Sequence, residues 1–252
     1  MMSVFYKERV MCETCGCGTA NEQHHHHEHE HPHEHAQTKT VTLEEKVLAH
    51  NDALADRNRA WLAERGVVAI NLISAPGSGK TYLLEKTLEA LDGKIKCAVI
   101  TGDQQTDRDA ERLRGKGAPV HQIETISSCH LDAHQVFHAL EKVIEVDTRL
   151  LFIENVGNLV CPTAFDLGES FKLALLSTPE GEDKPIKYPV LFATAKAIVL
   201  TKMDLAEPLD WDLSACRGYI QRVQPGAHVI ELSAKSGVGM AAWLNYLERL
   251  VQ

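Results

Sequence analysis

Apolar positions along this chain fall into two registers. From Val67 onward, short continuous runs recur: VVAINLI, IKCAVIT, PVHQI, LLFIEN, KLALLS, AIVLTK and HVIEL. Runs of this kind, apolar throughout rather than alternating, are the pattern of strands buried on both faces. Between several of them, residues 80–91, 105–115, 130–145 and 238–250 repeat apolar positions every three or four residues and predict amphipathic helices. Strand and helix in alternation predict an α/β fold built on a doubly wound, mostly parallel sheet. Ahead of it, Leu43, Val47, Leu48, Leu54 and Trp61 predict a leading helix over 42–65. Thr42 is its expected N-cap, with Glu45 completing a capping box and Gly66 as the stop.

Residues 1–40 lack that register and hold almost no large apolar residue after the first eleven positions. Such a segment cannot bury enough surface to offset its ordering entropy, so a tail disordered without a ligand is expected over 1–40, ahead of one domain over 41–252. The 252 residues carry a formal net charge of −9, which repels phosphate backbones and excludes nucleic acid as an expected partner. No apolar run approaches the roughly 18–20 residues of a membrane span, and MMSVFYKERV has no signal-peptide core. A cytoplasmic protein is expected, in which seven cysteines read as metal ligands or reactive thiols before disulfides.

The first chemistry lies at Ser74-Ala75-Pro76-Gly77-Ser78-Gly79-Lys80-Thr81, between a strand and a helix. It fits the phosphate-binding loop G-x-x-x-x-G-K-[ST], with Ser74 in place of the first Gly. Pro76, Gly77, Ser78, Gly79 and Tyr82 are expected around the phosphates, with Lys80 on the β and γ groups and Thr81 on Mg²⁺. Base choice is read from Thr201-Lys202-Met203-Asp204, a variant of the guanine motif N-K-x-D. A carboxylate accepts from guanine N1–H and its exocyclic amine, whereas adenine leaves the charge unpaired. Lys202 is expected over the base, and Ser233-Ala234-Lys235 resembles the loop whose backbone meets guanine O6. Between these motifs, Asp103 and Glu154 close two strands and join Thr81 as candidate Mg²⁺ ligands, while Gly157 is the candidate γ-phosphate sensor. Asp103 and Asp107 are the candidates for orienting the attacking water, beside Lys80 as the catalytic cation.

Three further clusters read as metal sites. Cys12, Cys15 and Cys17 are too compact for a four-cysteine zinc ribbon and suit a tight site for Ni²⁺ or Zn²⁺; a redox C-x-x-C is the competing reading. His24, His25, His26, His27, His29, His31, His33 and His35 form a low-selectivity reservoir, unless they are a purification tag. Cys129, His130 and His134 gather at a predicted helix start, where His130 and His134 are expected to share a face, and Cys161 follows the sensor Gly157. For His134 and His138, plain surface histidines are an equal reading. Cys97 reads as a core residue, and Cys216 gives no signal.

Taken together, SAPGSGKT, TGDQQTDRDAERL, CHLDAH, LLFIENVGNLVCP, the AFDLGE run and TKMD resemble the hydrogenase nickel-incorporation GTPases of the HypB family over roughly residues 42–250. CETCGCG resembles that family's N-terminal nickel motif, and Ile126-Ser127-Ser128 departs from its usual Gly-containing turn. The resemblance implies a GTP hydrolase of the SIMIBI class that dimerises with GTP. It also implies a Ni²⁺ or Zn²⁺ site at the dimer interface, to which Cys129, His130 and Cys161 correspond, a HypA-type metallochaperone partner and a [NiFe]-hydrogenase large-subunit precursor as client. A nickel store with a vestigial nucleotide site, and a urease-type insertion GTPase, are the alternatives; the C-P-H motif of the latter is absent from the sequence. The family's beginning matches Met11-Cys12, so translation from Met11 is expected, with the free α-amine as a fourth nickel donor.

Overall fold

The computed structural model describes residues 34–103, 108–125 and 129–252, and side chains from residue 45 onward apart from 103 and 108. The chain divides after Thr40, and Val41–Gln252 forms a compact unit. Helix α1 (Glu34–Glu64) precedes β1 (Val68–Ile73), α2 (Lys80–Leu91), β2 (Cys97–Asp103), α3 (Arg108–Leu113), β3 (Val120–Glu124), α4 (Ala133–Val143) and β4 (Leu150–Glu154). Then come α5 (Cys161–Ala164), β5 (Phe171–Ser177), α6 (Lys184–Lys187), α7 (Pro189–Thr194), β6 (Ala195–Thr201), α8 (Leu213–Val223), β7 (His228–Glu231) and α9 (Met240–Leu250). The strands lie in the order β3-β2-β4-β1-β5-β6-β7, and every neighbouring pair is parallel. All seven apolar runs are therefore strands of one doubly wound sheet. Among the described residues no helix is long and apolar enough to cross a membrane.

Both sheet faces are covered because side chains alternate along each strand. Ile70, Leu72, Phe152 and Leu173 point to the face that packs Leu83, Leu84 and Leu88 of α2 and Trp243 of α9. Their neighbours Ala69, Ile100, Leu151 and Ile153 pack against Val136 and Leu140 of α4 and Leu62 of α1. A third cluster joins Ile73, Leu176 and Leu200 to Phe192 of α7 and to Cys216 and Ile220 of α8. From β1 the chain crosses to one side through β2 and later to the other through β5, so the strand order reverses beside β1. Ligands in open α/β sheets bind at the carboxyl ends of the strands flanking such a reversal.

Helix α1 corrects two expectations. It runs from Glu34, so Thr42 lies inside it instead of capping it. Residues 34–42 hold neither Gly nor Pro and include Glu, Ala, Gln and Lys, so nothing stops the helical backbone there. Its buried stripe is Asn51, Ala55, Asn58 and Leu62, whereas Val47 is 51 % exposed. Polar docking decides that face. Asn51 accepts from Ala133 N at 2.9 Å and donates to Asp166 O at 2.8 Å, while Asn58 donates to Ala133 O at 2.8 Å and Leu167 O at 3.0 Å. Leaving those buried backbone groups unpaired would cost more than exposing a valine.

The docking requires glycine at 168. Gly168 has φ +87°, and a Cβ there would stand 2.5 Å from Ala55 O and 2.5 Å from Asn58 Cβ. Gly168→Ala is expected to cost about 2–4 kcal/mol, from left-handed strain plus forced separation of α1. Urea unfolding followed by circular dichroism measures it; a loss under about 0.5 kcal/mol would show that α1 shifts freely.

Candidate functional site: a nucleotide cleft joined to a thiol–imidazole segment

The loop after β1 supplies backbone donors because Gly77 and Gly79 take φ +73° and +96°, conformations closed to most side chains. Lys80 then opens α2, and its Nζ donates to Ser74 Oγ at 2.8 Å, while the Ser74 and Ser78 hydroxyls bond each other. The serine at the motif's first glycine position thus gives the lysine a resident acceptor. Lys80 is only 7 % exposed. Burial holds its pKa below the ordinary lysine value, against the upward pull of Glu154, then Asp109 and Glu180.

Thr81 Oγ1 donates to Glu154 Oε1 at 2.7 Å, joining two of the expected Mg²⁺ ligands at the ends of the loop and β4. Hydroxyl and carboxylate oxygens, both buried, are a hard donor pair of the kind Mg²⁺ takes. On the neighbouring strand, Thr101 pairs with Glu154, and β2 ends two residues later at Asp103. Asp107 lies outside the described residues. Asp109 and Arg112 of α3 line the same cleft, of about 590 Å³. Gly157 lies against the loop so closely that a Cβ would stand 3.0 Å from Pro76 Cα.

A second cleft of about 430 Å³ shares Ser78, Gly79, Tyr82 and Lys202 with the first, and is closed by Thr201, Asp204 and the Ser233-Ala234-Lys235 turn. Thr201 braces the phosphate loop: its Oγ1 donates to Ser78 O at 2.7 Å. Lys202 has φ +57°, and its Nζ donates to Gly77 O at 2.7 Å. Met203 N donates to Leu232 O at 3.2 Å, tying the T-K-M-D segment to the strand that leads into Ser233. Five motifs far apart in sequence meet at one sheet edge.

Asn155 connects this edge to the metal-ligand candidates. Its Oδ1 accepts from Leu131 N at 3.2 Å and from Val156 N at 3.0 Å, and its Nδ2 donates to Asn71 Oδ1 at 3.2 Å. Asn71 in turn donates to Glu169 Oε1 at 3.2 Å. The residue after a candidate Mg²⁺ ligand therefore holds the backbone of the Cys129-His130-Leu131 segment. On the other side, His130 stacks on Phe165 with ring centroids 3.8 Å apart, and Phe165 follows the α5 helix that Cys161 opens. Burial holds the His130 imidazole below its ordinary pKa, with Asp132 opposing. Among the described residues no three His, Cys, Asp or Glu side chains are grouped to hold a metal ion.

Other candidates resolve differently. His130 precedes α4 and does not share a helical face with His134, because Asp132 caps the helix through a capping box with Gln135. His134 instead meets His138. Cys97 and Cys216 are buried core residues, and desolvation pushes both thiols up to about 12. Cys12, Cys15, Cys17, Met11 and the histidines from His24 to His33 lie outside the described residues, as do Ile126, Ser127 and Ser128; His35 lies in α1, on backbone alone.

Known proteins resemble this chain in sequence and in fold. The family model described as "CobW/HypB/UreG, nucleotide-binding domain" matches residues 68–231. The hydrogenase maturation factor HypB of Azotobacter vinelandii is 53% identical over 207 residues, covering 82% of this chain and 68% of that protein. The crystal structure of HypB from Archaeoglobus fulgidus superposes with a TM-score of 0.77 at 40% identity, over 81% of this chain and 100% of that one. HypB from Helicobacter pylori, crystallised in complex with nickel, superposes with a TM-score of 0.76 at 37% identity, over 80% of this chain and 95% of that one. The chain belongs to the HypB family of hydrogenase maturation factors, within the CobW/HypB/UreG nucleotide-binding proteins.

Proposed function

We propose that this chain is an Mg²⁺-dependent GTP hydrolase that couples its nucleotide state to delivery of nickel to a [NiFe]-hydrogenase precursor. It works in the cytoplasm as a GTP-dependent homodimer and exchanges nickel with a HypA-type metallochaperone. The observation that carries the reading is Asn155, which follows Glu154 at the phosphate end of β4 and bonds the backbone of Leu131. Movement at the γ-phosphate thereby acts on the segment that presents Cys129 and His130. Thiolate and imidazole donors suit Ni²⁺ and Zn²⁺ alike. Cys129, His130 and Cys161 supply only part of a coordination shell in one chain, and a second copy completes it across the dimer.

At the reacting end, the loop amides from Gly77 to Thr81 hold the phosphates, and Lys80 neutralises charge on the β and γ groups. Thr81, Asp103 and Glu154 would hold Mg²⁺, which supplies further neutralisation of the triphosphate. Asp103 and Asp107 stand as the candidates for orienting water. Asp204, with Ser233, Ala234 and Lys235, selects guanine. The tail takes the tight nickel site at Cys12, Cys15 and Cys17, and the histidines from His24 to His35 hold a reserve. A pure nickel store has no use for a buried Lys80 or for a Thr81–Glu154 pair, which favours the hydrolase.

The test combines GTP and ATP turnover with nickel titration of full-length protein in which Cys12, Cys15 and Cys17 are changed to Ser. GTP should be turned over in preference to ATP. The remaining nickel affinity should differ about 5–150-fold between GDP and GTP states, the usual range of coupling between sites. In Asn155→Ala that ratio should collapse toward one. Equal affinity in both states of the unaltered Asn155 protein would remove the coupling.

A further inference from the structure

The AFDLGE run ends in a side chain that the nucleotide mechanism does not use. Glu169 is 4 % exposed and meets Asn71, the one polar residue of strand β1, which in turn meets Asn155. All three are buried, so their hydrogen bonds must be met within the protein. We infer that Glu169 is a positioning residue: its carboxylate sets the direction of a two-asparagine relay and so turns the Asn155 oxygen to the backbone of Leu131 and Val156. What this does for nickel rests on the coupling proposed above; the direction of the relay does not.

That direction follows from the donors and acceptors at the two ends. Leu131 N and Val156 N donate to Asn155 Oδ1 at 3.2 Å and 3.0 Å. Only an oxygen serves there, which leaves Asn155 Nδ2 to donate to Asn71 Oδ1 at 3.2 Å. Asn71 must then donate from Nδ2, and Glu169 Oε1 accepts at 3.2 Å. At the far end Leu167 N donates to Glu169 Oε2 at 2.7 Å, while Asn58 of α1 donates to Leu167 O at 3.0 Å. A side-chain amide can turn over and exchange its donor for its acceptor, whereas a carboxylate presents an acceptor on either side. Glu169 is thus the member of the relay whose turning changes nothing, and it fixes the other two.

The fold holds the carboxylate where this works. Arg59 of α1 clamps the loop before β5: Nη1 donates to Glu169 O and Nη2 to Asp166 Oδ2, both at 2.5 Å. Burial, and then Asp166, raises the Glu169 pKa, while bonds from backbone N–H groups and the charge of Lys172 oppose the rise. From this loop the relay crosses β1 to the end of β4, where Glu154 is the candidate Mg²⁺ ligand. Reversed, it would set the Asn155 amide nitrogen against two N–H groups, and the Cys129-His130-Leu131 backbone would lose its acceptor.

Glu169→Gln keeps the shape and removes one acceptor. The amide oxygen stays with Leu167 N, the shorter bond, so the new NH₂ faces Asn71 and reverses both asparagines. Residue-resolved hydrogen exchange of the full-length, nucleotide-free protein should then speed up at least about tenfold at the Leu131 and Val156 amides. Adding Asn71→Asp moves the carboxylate one place along the relay, where it accepts from the new amide on one side and from Asn155 on the other. The double variant Asn71→Asp/Glu169→Gln should therefore regain native exchange at both amides. Asn71→Asp alone sets two carboxylates against each other and should not. A role in packing alone predicts no such rescue. Native protection in Glu169→Gln overturns the inference, as does a double variant that fails to fold or stays unprotected; if the single variant does not fold, the double variant decides. Nickel affinity of the same variants in the GDP and GTP states, with Cys12, Cys15 and Cys17 changed to Ser, reports on the coupling separately. An unaltered GDP-to-GTP ratio in a Glu169→Gln protein that has lost protection would remove the coupling and leave the positioning role standing.

Discussion

Asp204→Asn is expected to turn a guanine site into a xanthine site. A carboxylate offers two acceptors, which match guanine N1–H and its exocyclic amine. An amide offers one acceptor and one donor, which match xanthine N1–H and its 2-oxo group. Sites that hydrogen-bond a substrate group reject analogues lacking it by roughly 10⁴-fold or more, so the GTP-to-XTP preference should invert by about that factor. The surroundings of Asp204 make the change clean. It is exposed in a 3-10 turn, Met203–Leu205, held by Leu205 N donating to Lys202 O at 2.8 Å and by Thr178 Oγ1 donating to Lys202 O at 3.0 Å. None of these bonds uses the carboxylate, so the turn survives and stability should not move. Comparing kcat/KM for GTP, XTP and ATP in both proteins checks it. A variant that still prefers GTP over XTP would mean that the Ser233-Ala234-Lys235 turn, and not Asp204, selects the base.

The parts of this molecule legible in its sequence share one physical cause. The inner strands are buried on both faces and so nearly continuously apolar. The edge strands β3 and β7, only partly buried, mix His, Gln and Glu with the apolar positions that mark them. A parallel sheet then delivers its strand ends to one edge, which is why Ser74–Thr81, Glu154–Gly157, Thr201–Asp204 and Ser233–Lys235 are legible as one site from their order alone. Where burial is polar, the signal fails. Asn51 and Asn58 resemble solvent-facing residues in a sequence, yet they dock α1 onto carbonyls more than seventy positions away. Asn155 is visible only as a spacer between Glu154 and Gly157, because its partners Leu131 and Asn71 lie on other elements. Helix α8 buries just Cys216 and Ile220, too thin a stripe for periodicity to reveal. The four-residue spacing of His130 and His134 misleads for a different reason: Asp132 starts the helix between them, and spacing rules hold only within a helix.

Lys80→Met should lower single-turnover GTP hydrolysis by about 10²–10³-fold, the loss that follows removal of one donor from a developing negative charge. The same change should leave the nucleotide-free protein no less stable. Lys80 lies in a nearly dry loop with Ser74 as its direct partner, and burial, which disfavours the charged amine, outweighs the attraction of Glu154. An apolar side chain of similar length avoids that cost. The sign follows through to pH. Because the folded-state pKa lies below the unfolded value of 10.5, the folded protein binds fewer protons in the interval between them. Stability of the nucleotide-free protein should therefore rise with pH across that interval, and the rise should vanish in Lys80→Met. Nucleotide affinity should run the other way. Phosphate needs the protonated amine, so GTP binding should weaken with alkalinity before an ordinary lysine would titrate, while the Met variant shows no such loss. Thermal unfolding and GTP affinity, each followed from pH 7 to pH 10 in both proteins, measure the two slopes. Parallel pH profiles in the two proteins would show that Lys80 is not the group that titrates, and that its burial has no part in how the phosphates are held.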